Sequence, residues 1–489
     1  MGSFPAPPYH WGAVPQDAPG SRSSVVDRCP GKNYNTGGPL RPDARVWGDD
    51  ANRPFMNTND FEVIVIGCGP GGSSAATYLS RAGKRVLVLE KEVFPRFHIG
   101  ESLLPYNQKI FRELGVLPAI QAAGFPRKVG AQFFLGNGSI STRFVFGRGR
   151  FTREPEVVQV ERAKFDHILL RHARSSGADI REGWTVLKTV SSATGVTVEA
   201  RDPAGATHVF QSRFLIDASG RSNLTGNQEN QRVVHPRLKK LAIFGHFTGV
   251  VRDSGDAGGD TVITRLDNKW FWIIPVSPEK TSVGLVIDRD EFAASAGTPA
   301  EIFQRWAESS PVMQERLANA TALGPMQTLS DFSYYNRRLV GDRVLRIGDA
   351  AGFMDPIFSA GVYLAMWSGK LAAEVVGKSL ARGDDGSRRF LKFEKRVKSG
   401  MQFYWQMVEQ YYTQPFIELF LQPRNHASLP DAVNAVLAGE LEGGWNLRWR
   451  LKYFFFLVKW HARRPLVPRL SFGPIRRQEP RVAPVAAKL

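Results

Sequence analysis

Hydrophobic and polar positions along this chain switch between two periods, and the switches fall on glycines. Phe61-Glu62-Val63-Ile64-Val65-Ile66 is a nearly unbroken apolar, β-branched run, the pattern of a buried strand. It stops at Gly67-Cys68-Gly69-Pro70-Gly71-Gly72. Ser73 to Ala82 then has helical spacing and is closed by Gly83, and Arg85 to Leu89 is a second strand ending at Glu90. The spacing predicts a βαβ unit. Further along, Glu161 to Ser176 reads as a helix, and Thr185 to Ala200 and His208 to Phe214 read as strands around Pro203-Ala204-Gly205. Phe214 to Gly220 is a strand entering a tight turn. Leu241 to Val251, Thr261 to Leu266, Lys269 to Pro275 and Thr281 to Ile287 alternate like antiparallel strands. Val344 to Ile347 is a buried strand before Gly348-Asp349, Gly361 to Lys378 is a helix, and the pattern from Asp385 onward is helical and aromatic-rich.

These elements define three stretches. Residues 1–58 hold 9 Pro and 7 Gly with few aliphatic residues, too little apolar surface to offset the entropy of ordering, so a largely irregular tail is expected there. Residues 59–380 are expected to form an α/β core, a Rossmann-type dinucleotide-binding domain with an inserted antiparallel β-sheet at about 185–290. Residues 381–489 are expected to form a mostly helical region.

Composition narrows the class. The 489 residues are 43% hydrophobic and 22% charged, ordinary for a globular protein. No apolar run approaches the length of a membrane span. Two cysteines, Cys29 and Cys68, exclude a disulfide framework and a structural zinc site, and no secretory signal opens the chain; a cytoplasmic protein is expected. The net charge is +18, and residues 446–489 carry 11 Lys/Arg against the single acid Glu479. That basic end suits an acidic partner: an acidic carrier protein or the surface of an anionic membrane, against the plainer reading of a core helix with a solvated edge. No nucleic-acid module is present, so nucleic acid is not expected.

The first βα turn carries the chemistry. Gly67, Gly69 and Gly72 match G-x-G-x-x-G between a strand and a helix, which places a pyrophosphate at the helix N-terminus, and Glu90 falls where a ribose-binding acid is needed. A glycine-rich turn in some other α/β fold is the alternative. Gly348-Asp349-Ala350-Ala351-Gly352, Arg162 in an early helix and Asp217-Ala218-Ser219-Gly220 resemble, in order, the FAD-contacting segments of glutathione-reductase- and hydroxylase-like flavoproteins. FAD is therefore the expected cofactor. No second dinucleotide fingerprint is present, so reduced flavin is expected to come from a partner reductase.

Three segments then resemble the flavin-dependent halogenases, over about residues 60–380. Trp270-Phe271-Trp272-Ile273-Ile274-Pro275 matches W-x-W-x-I-P, in which Trp270, Trp272 and Pro275 shield the flavin. Pro95-Arg96-Phe97-His98-Ile99-Gly100-Glu101-Ser102 matches P-R-x-x-x-G-E-S beside the flavin. Phe353 to Gly361 matches F-x-x-P-x-x-S-x-G, whose N–H groups at Ala360 and Gly361, oriented by Ser359, would hold chloride or bromide. The resemblance further implies that reduced FAD, O2 and halide give hypohalous acid, and that a lysine relays it to the substrate. Lys128, in a K-x-G-A-x-F match, is the candidate; Arg127 is its register-shifted alternative. Halogenases of free tryptophan carry a glutamate before the loop serine, and Phe358 stands there instead. A small phenolic or other electron-rich aromatic substrate, free or tethered to a carrier protein, is expected. The aromatic groups Phe403 to Trp405, Tyr411-Tyr412 and Trp445 to Trp449 line its pocket or belong to the core. The competing readings are a geranylgeranyl-reductase-like enzyme or aromatic hydroxylase, and a non-catalytic flavin-binding scaffold. No metal site is expected.

Overall fold

A computed structural model describes residues 61–330 and 333–473. The expected tail at 1–58, Cys29 and the last sixteen residues of the basic end lie outside the described residues.

The chain enters as strand β1 (Phe61–Ile66), helix α1 (Pro70–Arg81) and strand β2 (Val86–Glu90). The helix starts three residues before Ser73 because Pro70 occupies its first turn, where a missing N–H costs nothing and φ is already helical. The sheet runs Val340–Gly341, Val344–Arg346, Thr207–Asp217, β1, β2, Asp179–Glu182. Its central pairs are parallel, with Ile66 opposite both Asp217 and Leu89, and Asp217 opposite Arg346. The strands therefore end level, and the turns that follow them form a common rim, the place where open α/β sheets bind ligands. Val196–Arg201 extends this sheet antiparallel to the long Thr207–Asp217 strand, and Thr185–Ser191 pairs antiparallel with Val196–Arg201 in turn.

That pairing corrects the expected insertion at about 185–290. The strands from Thr185 to Asp217 belong to the nucleotide sheet. The second sheet runs Thr321–Ala322, Lys240–Thr248, Thr281–Asp288, Trp270–Pro275, Thr261–Arg265, Gly130–Leu135, Ser141–Val145. It recruits strands from before and after the expected span. One of its pairs, Thr261–Arg265 with Gly130–Leu135, is parallel. Alternation marks a strand but does not choose its neighbour. The second sheet is sandwiched. Phe271 and Ile273 pack with Ile302, Phe303 and Met313 of two covering helices, while Trp270, Trp272 and Ile274 join the main core.

Helix Gly361–Arg382 lies against α1, and four more helices follow it: Ser387–Tyr411, Gln414–Leu421, Leu429–Ala438 and Trp445–Arg463. Their Tyr404, Phe416 and Phe454 share the main core with Val63 and Val65. Tyr404 and Tyr411 are therefore core residues, as is Phe454. No described helix is long and apolar enough to cross a membrane.

Candidate functional site

One elongated cavity of about 920 Å³ runs from the rim of the nucleotide sheet to the face of the second sheet. At the rim end Gly67 holds φ +90°, and a Cβ there would come within 2.5 Å of the Ala218 carbonyl oxygen. A Cβ on Gly72 would sit 1.9 Å from the Gly67 oxygen. Both glycines are thus demanded by the turn itself. Gly69 faces open space, with only the Arg96 guanidinium within 4 Å of a Cβ, so that stretch of backbone is free for a ligand to approach. Glu90 closes this end. Its carboxylate accepts the Cys68 N–H (2.6 Å) and the Glu92 N–H (2.9 Å) while bordering the cavity. Cys68 itself is buried beneath the turn, and burial pushes its thiol up to about 12.

Along the middle, Arg162 makes a two-pronged pair with Asp166 (2.8 Å twice) and donates to the Ile99 carbonyl (2.8 Å). Burial pushes the Asp166 carboxyl up, but Arg162 and Arg96 outweigh it and hold the group below the usual range. Arg162 thus bolts the Arg96–Ser102 loop to its helix while bordering the cavity. Gly348, at φ +54°, turns Asp349 toward the cavity. Burial pushes that carboxyl up to about 6, against the opposing pull of Arg221 and Arg162.

Asp217 departs from expectation. Its carboxylate is fully buried and accepts from the Ser219 N–H (2.9 Å), the Thr225 N–H (2.8 Å) and the Thr225 hydroxyl (2.6 Å). It shapes the turn from beneath, and Ala218, Ser219 and Gly220 form the cavity wall.

The far end is walled by Trp270, Trp272, Phe97 and Phe244. Gly284 makes room for Trp272, since a Cβ there would fall 2.2 Å from the indole. The Trp270 indole N–H donates to the Tyr412 hydroxyl (2.9 Å), which donates to Asp355 (2.8 Å); the other Asp355 oxygen accepts the Ile357 N–H (3.1 Å). Burial pushes Asp355 up to about 6 and Tyr412 well above its ordinary value. This chain ties the aromatic strand, the Phe353–Gly361 loop and the C-terminal helices together.

In that loop Ser359 is left-handed (φ +55°), and its N–H is spent on the Pro356 carbonyl (3.0 Å). The N–H groups of Ala360 and Gly361 have no backbone partner among the described residues. Ser359 and Gly361 border the cavity, whereas Ala360 borders a void of about 20 Å³ behind the loop. Phe358 turns away and packs edge-on against Tyr411 at 5.7 Å. Position 358 therefore belongs to the core of this chain.

Lys128 is 1% exposed. Its ammonium donates to the Ser102 hydroxyl (2.8 Å) and the Leu103 carbonyl (2.9 Å), with the Phe146 ring 5.6 Å away. Burial, only partly offset by Asp260, brings its pKa down to about 7. Lys128 does not border the cavity. Ser102 does, and its hydroxyl pairs with that of Thr261, another wall residue (2.7 Å). Arg127 points outward into ion pairs with Glu156 (2.6 Å) and Asp256 (2.8 Å), which removes it as an alternative.

Sequence reasoning placed the segments holding Arg96, Glu101, Ser102 and Asp355 beside the flavin but gave these residues no individual role, and it passed over Thr261. Arg96 faces Gly69; Glu101 accepts from His246 (2.6 Å), leaving its second oxygen buried and unpartnered; Ser102, Thr261 and Asp355 complete the set. The last stands inside the Phe353–Gly361 match, as its one carboxylate. Of the aromatic groups expected to line a pocket or belong to the core, Tyr412 reaches the site, through Asp355. Among the described residues no group of His, Cys, Asp and Glu is arranged to hold a metal.

The elongated shape, the open backbone at Gly69 and the cavity-facing Asp349 together fit a dinucleotide laid from Glu90 toward the tryptophans. Comparison with known proteins agrees. The family described as FAD binding domain matches residues 60–388. The chain is 33% identical over 385 residues to a 1H-pyrrole-2-carbonyl-[peptidyl-carrier protein] brominase of Pseudoalteromonas luteoviolacea, covering 78% of this chain and 92% of that protein. It is 31% identical to the corresponding chlorinase of Pseudomonas fluorescens, covering 73% and 84%. A tryptophan 2-halogenase of Chondromyces crocatus is 33% identical over 71% of this chain and 66% of its own length. Among solved structures, flavin-dependent brominase Bmp2 superposes with a TM-score of 0.74 at 31% identity, covering 83% of this chain and 99% of that one. The myxobacterial chondrochloren halogenase CndH gives 0.69 at 29% identity, with 82% and 97% covered.

Proposed function

This chain belongs to the flavin-dependent halogenases, and we propose that it chlorinates or brominates an electron-rich, phenolic ring with Lys128 as the residue that handles the oxidised halogen. The observation that carries the reading is the burial of Lys128 beside the cavity wall. Among the described residues its ammonium donates only to two neutral oxygens, and a buried cation with no carboxylate in hydrogen-bond reach costs stability that structure alone does not repay.

Bound FAD, delivered reduced by a separate reductase, supplies the oxidation of halide by O2. The residues of this chain divide the remaining work. Gly67, Gly69 and Gly72 with the N-terminus of α1 hold the pyrophosphate, Glu90 takes the adenosine ribose, and Arg162 and Asp349 border the path toward the flavin ring. The unpartnered N–H groups of Ala360 and Gly361 hold the halide. Trp270 and Trp272, on the strand that Pro275 ends, close the flavin from the substrate, so that the diffusing species is hypohalous acid and not an oxygen atom passed directly. Ser102 and Thr261 lie between this space and Lys128. An ammonium titrating near pH 7 can donate a hydrogen bond to the oxygen of hypohalous acid or, once deprotonated, attack its halogen, forming an N–halogen bond as the O–halogen bond breaks and hydroxide leaves. Position 358 supplies no carboxylate, which favours a ring that activates itself, as a phenol does.

The test is a bromination assay with FAD, a flavin reductase, NADH and bromide, offering phenols, indoles, and pyrrole both free and carrier-bound. A bromine isotope doublet on a phenol, absent with Lys128→Met when free hypobromite is scavenged, is the expected result. A doublet only on carrier-bound pyrrole would replace the substrate assignment. Equal product from the variant would remove Lys128 from its role.

A further inference from the structure

The last described helix, Trp445–Arg463, presents two surfaces that the catalytic site does not use. Its inner face, with Leu447, Leu451, Phe454, Phe455 and Val458, is buried in the main core. Trp445, Trp449, Tyr453, Phe456 and Trp460 recur every three or four residues and therefore share one outer face. Their rings form an unbroken row, with successive centroids 6.0–6.4 Å apart. Trp445 is 77% exposed, Phe456 48% and Trp460 44%. Arg448, Lys452 and Lys459 form an exposed row beside these rings, and the helix contains no acidic residue. Arg448 also belongs to a surface cavity of about 480 Å³ whose lining includes Trp367, the cations Lys392, Lys395 and Arg396, and one acid, Glu442. Of these cations Arg396 is paired, to Glu442.

A row of large aromatics left in water is costly for a helix whose other face is already packed. The row runs along the outer face of the helix, with Trp449 and Tyr453 half-buried between the exposed rings, and Trp and Tyr are the side chains that settle where apolar chains meet polar headgroups. It is about 22 Å long, enough to lie flat along an interface. The uniformly basic flank and the adjoining basic cavity match a sheet of phosphates. We propose that this helix docks the protein on an anionic lipid bilayer, with the aromatic row sunk at the interface and a lipid phosphate in the Lys392–Lys395–Arg448 cavity. The role goes beyond ring halogenation. It places the enzyme at a surface where apolar aromatic substrates concentrate.

The experiment is co-sedimentation of the full chain with phosphatidylcholine vesicles, with and without about one third phosphatidylglycerol. The parent is expected to bind the anionic vesicles, and to bind less as salt rises. Replacing Trp445, Phe456 and Trp460 together by Ser should weaken binding more than about tenfold. Lys452→Glu with Lys459→Glu should weaken it similarly. Both variants should keep the parent's thermal unfolding and its halogenation of a water-soluble substrate, since these side chains lie outside the core and the cavity. A parent that stays in solution overturns the proposal, including when it binds an acidic carrier protein instead. Variants that bind like the parent also overturn it, since adhesion would then belong to Arg476, Arg477, Arg481 and Lys488 beyond the helix.

Discussion

The two ends of the cavity are built from different materials. At the rim, recognition is assigned to backbone: a turn in which Gly67 and Gly72 leave no room for a Cβ and Gly69 leaves the backbone open, a helix N-terminus, and one carboxylate that accepts two N–H groups. At the tryptophan end, work is assigned to side chains held away from water, with Lys128 brought down to about 7 and Asp355 pushed up to about 6. The nucleotide turn and its acid come from one βαβ unit of thirty consecutive residues, Phe61 to Glu90. The far end gathers Ser102, Lys128, Thr261, Trp270, Asp355 and Tyr412, spread over more than three hundred. Binding a pyrophosphate needs many modest dipoles in fixed directions, which one local motif can supply. Handling a reactive halogen needs groups with shifted proton affinity, and only burial by distant chain segments shifts them this far.

That division predicts how each end fails. The largest effect belongs to Gly72→Val. A side chain 1.9 Å from the Gly67 oxygen cannot be accommodated without moving β1 from α1, so purified protein should carry essentially no flavin by absorbance. Lys128→Met should instead bind flavin normally and lose about three orders of magnitude or more in halogenation. It should also alter stability in a definite sense. The folded-state pKa lies below the usual lysine value of 10.5, so the unfolded chain binds the extra proton between about pH 7 and 10.5. The parent's stability therefore gains from this group as pH rises through that window, and the penalty is fully present below it. Chemical unfolding of the apoprotein at pH 6 to 9 should show the rise in the parent and a flatter profile in the variant.

Smaller changes sharpen the contrast within the far end. Tyr412→Phe removes the link between Trp270 and Asp355 and leaves a buried indole N–H unpartnered. It should cost about 1–3 kcal/mol in unfolding experiments and about tenfold in halogenation rate by loosening the aromatic wall. Asp355→Asn keeps the shape but not the titration. The carboxyl's folded pKa is raised, so it favours the folded state most at low pH and loses that advantage as pH climbs from about 4 to 6; the variant should lack that part of the parent's pH profile. The mildest change is Ser102→Ala, which leaves one of the two acceptors of Lys128 in place. A several-fold loss in rate with unchanged flavin binding is expected.

Legibility followed the same line. Strand, turn, helix and acid at 61–90 were readable because each choice is local: β-branched residues, glycines at the positions of closest approach, a proline opening the helix. The bounds of the second sheet were not readable. Thr207–Asp217 pairs antiparallel at its start and parallel at its end, and no periodicity says which sheet such a strand serves. Asp217 shows the same limit at one residue, since a carboxylate at a strand end can face the cavity or the turn, and three donors from Ser219 and Thr225 turn it inward.

By itself the amino-acid sequence determined the nucleotide turn, the tryptophan strand, the loop before Gly361 and the basic aromatic end, because their chemistry is carried by neighbours in the chain. Tertiary structure alone decided that Lys128 is a buried ammonium behind Ser102, that Asp355 answers to Tyr412 and Trp270, that Phe358 is core, and that Trp445, Phe456 and Trp460 of the last helix face outward while Phe454 and Phe455 face the core. Each of these depends on exclusion of water by segments far away in sequence, and the proton affinity of a side chain, like the cost of leaving it exposed, is a property of what surrounds it.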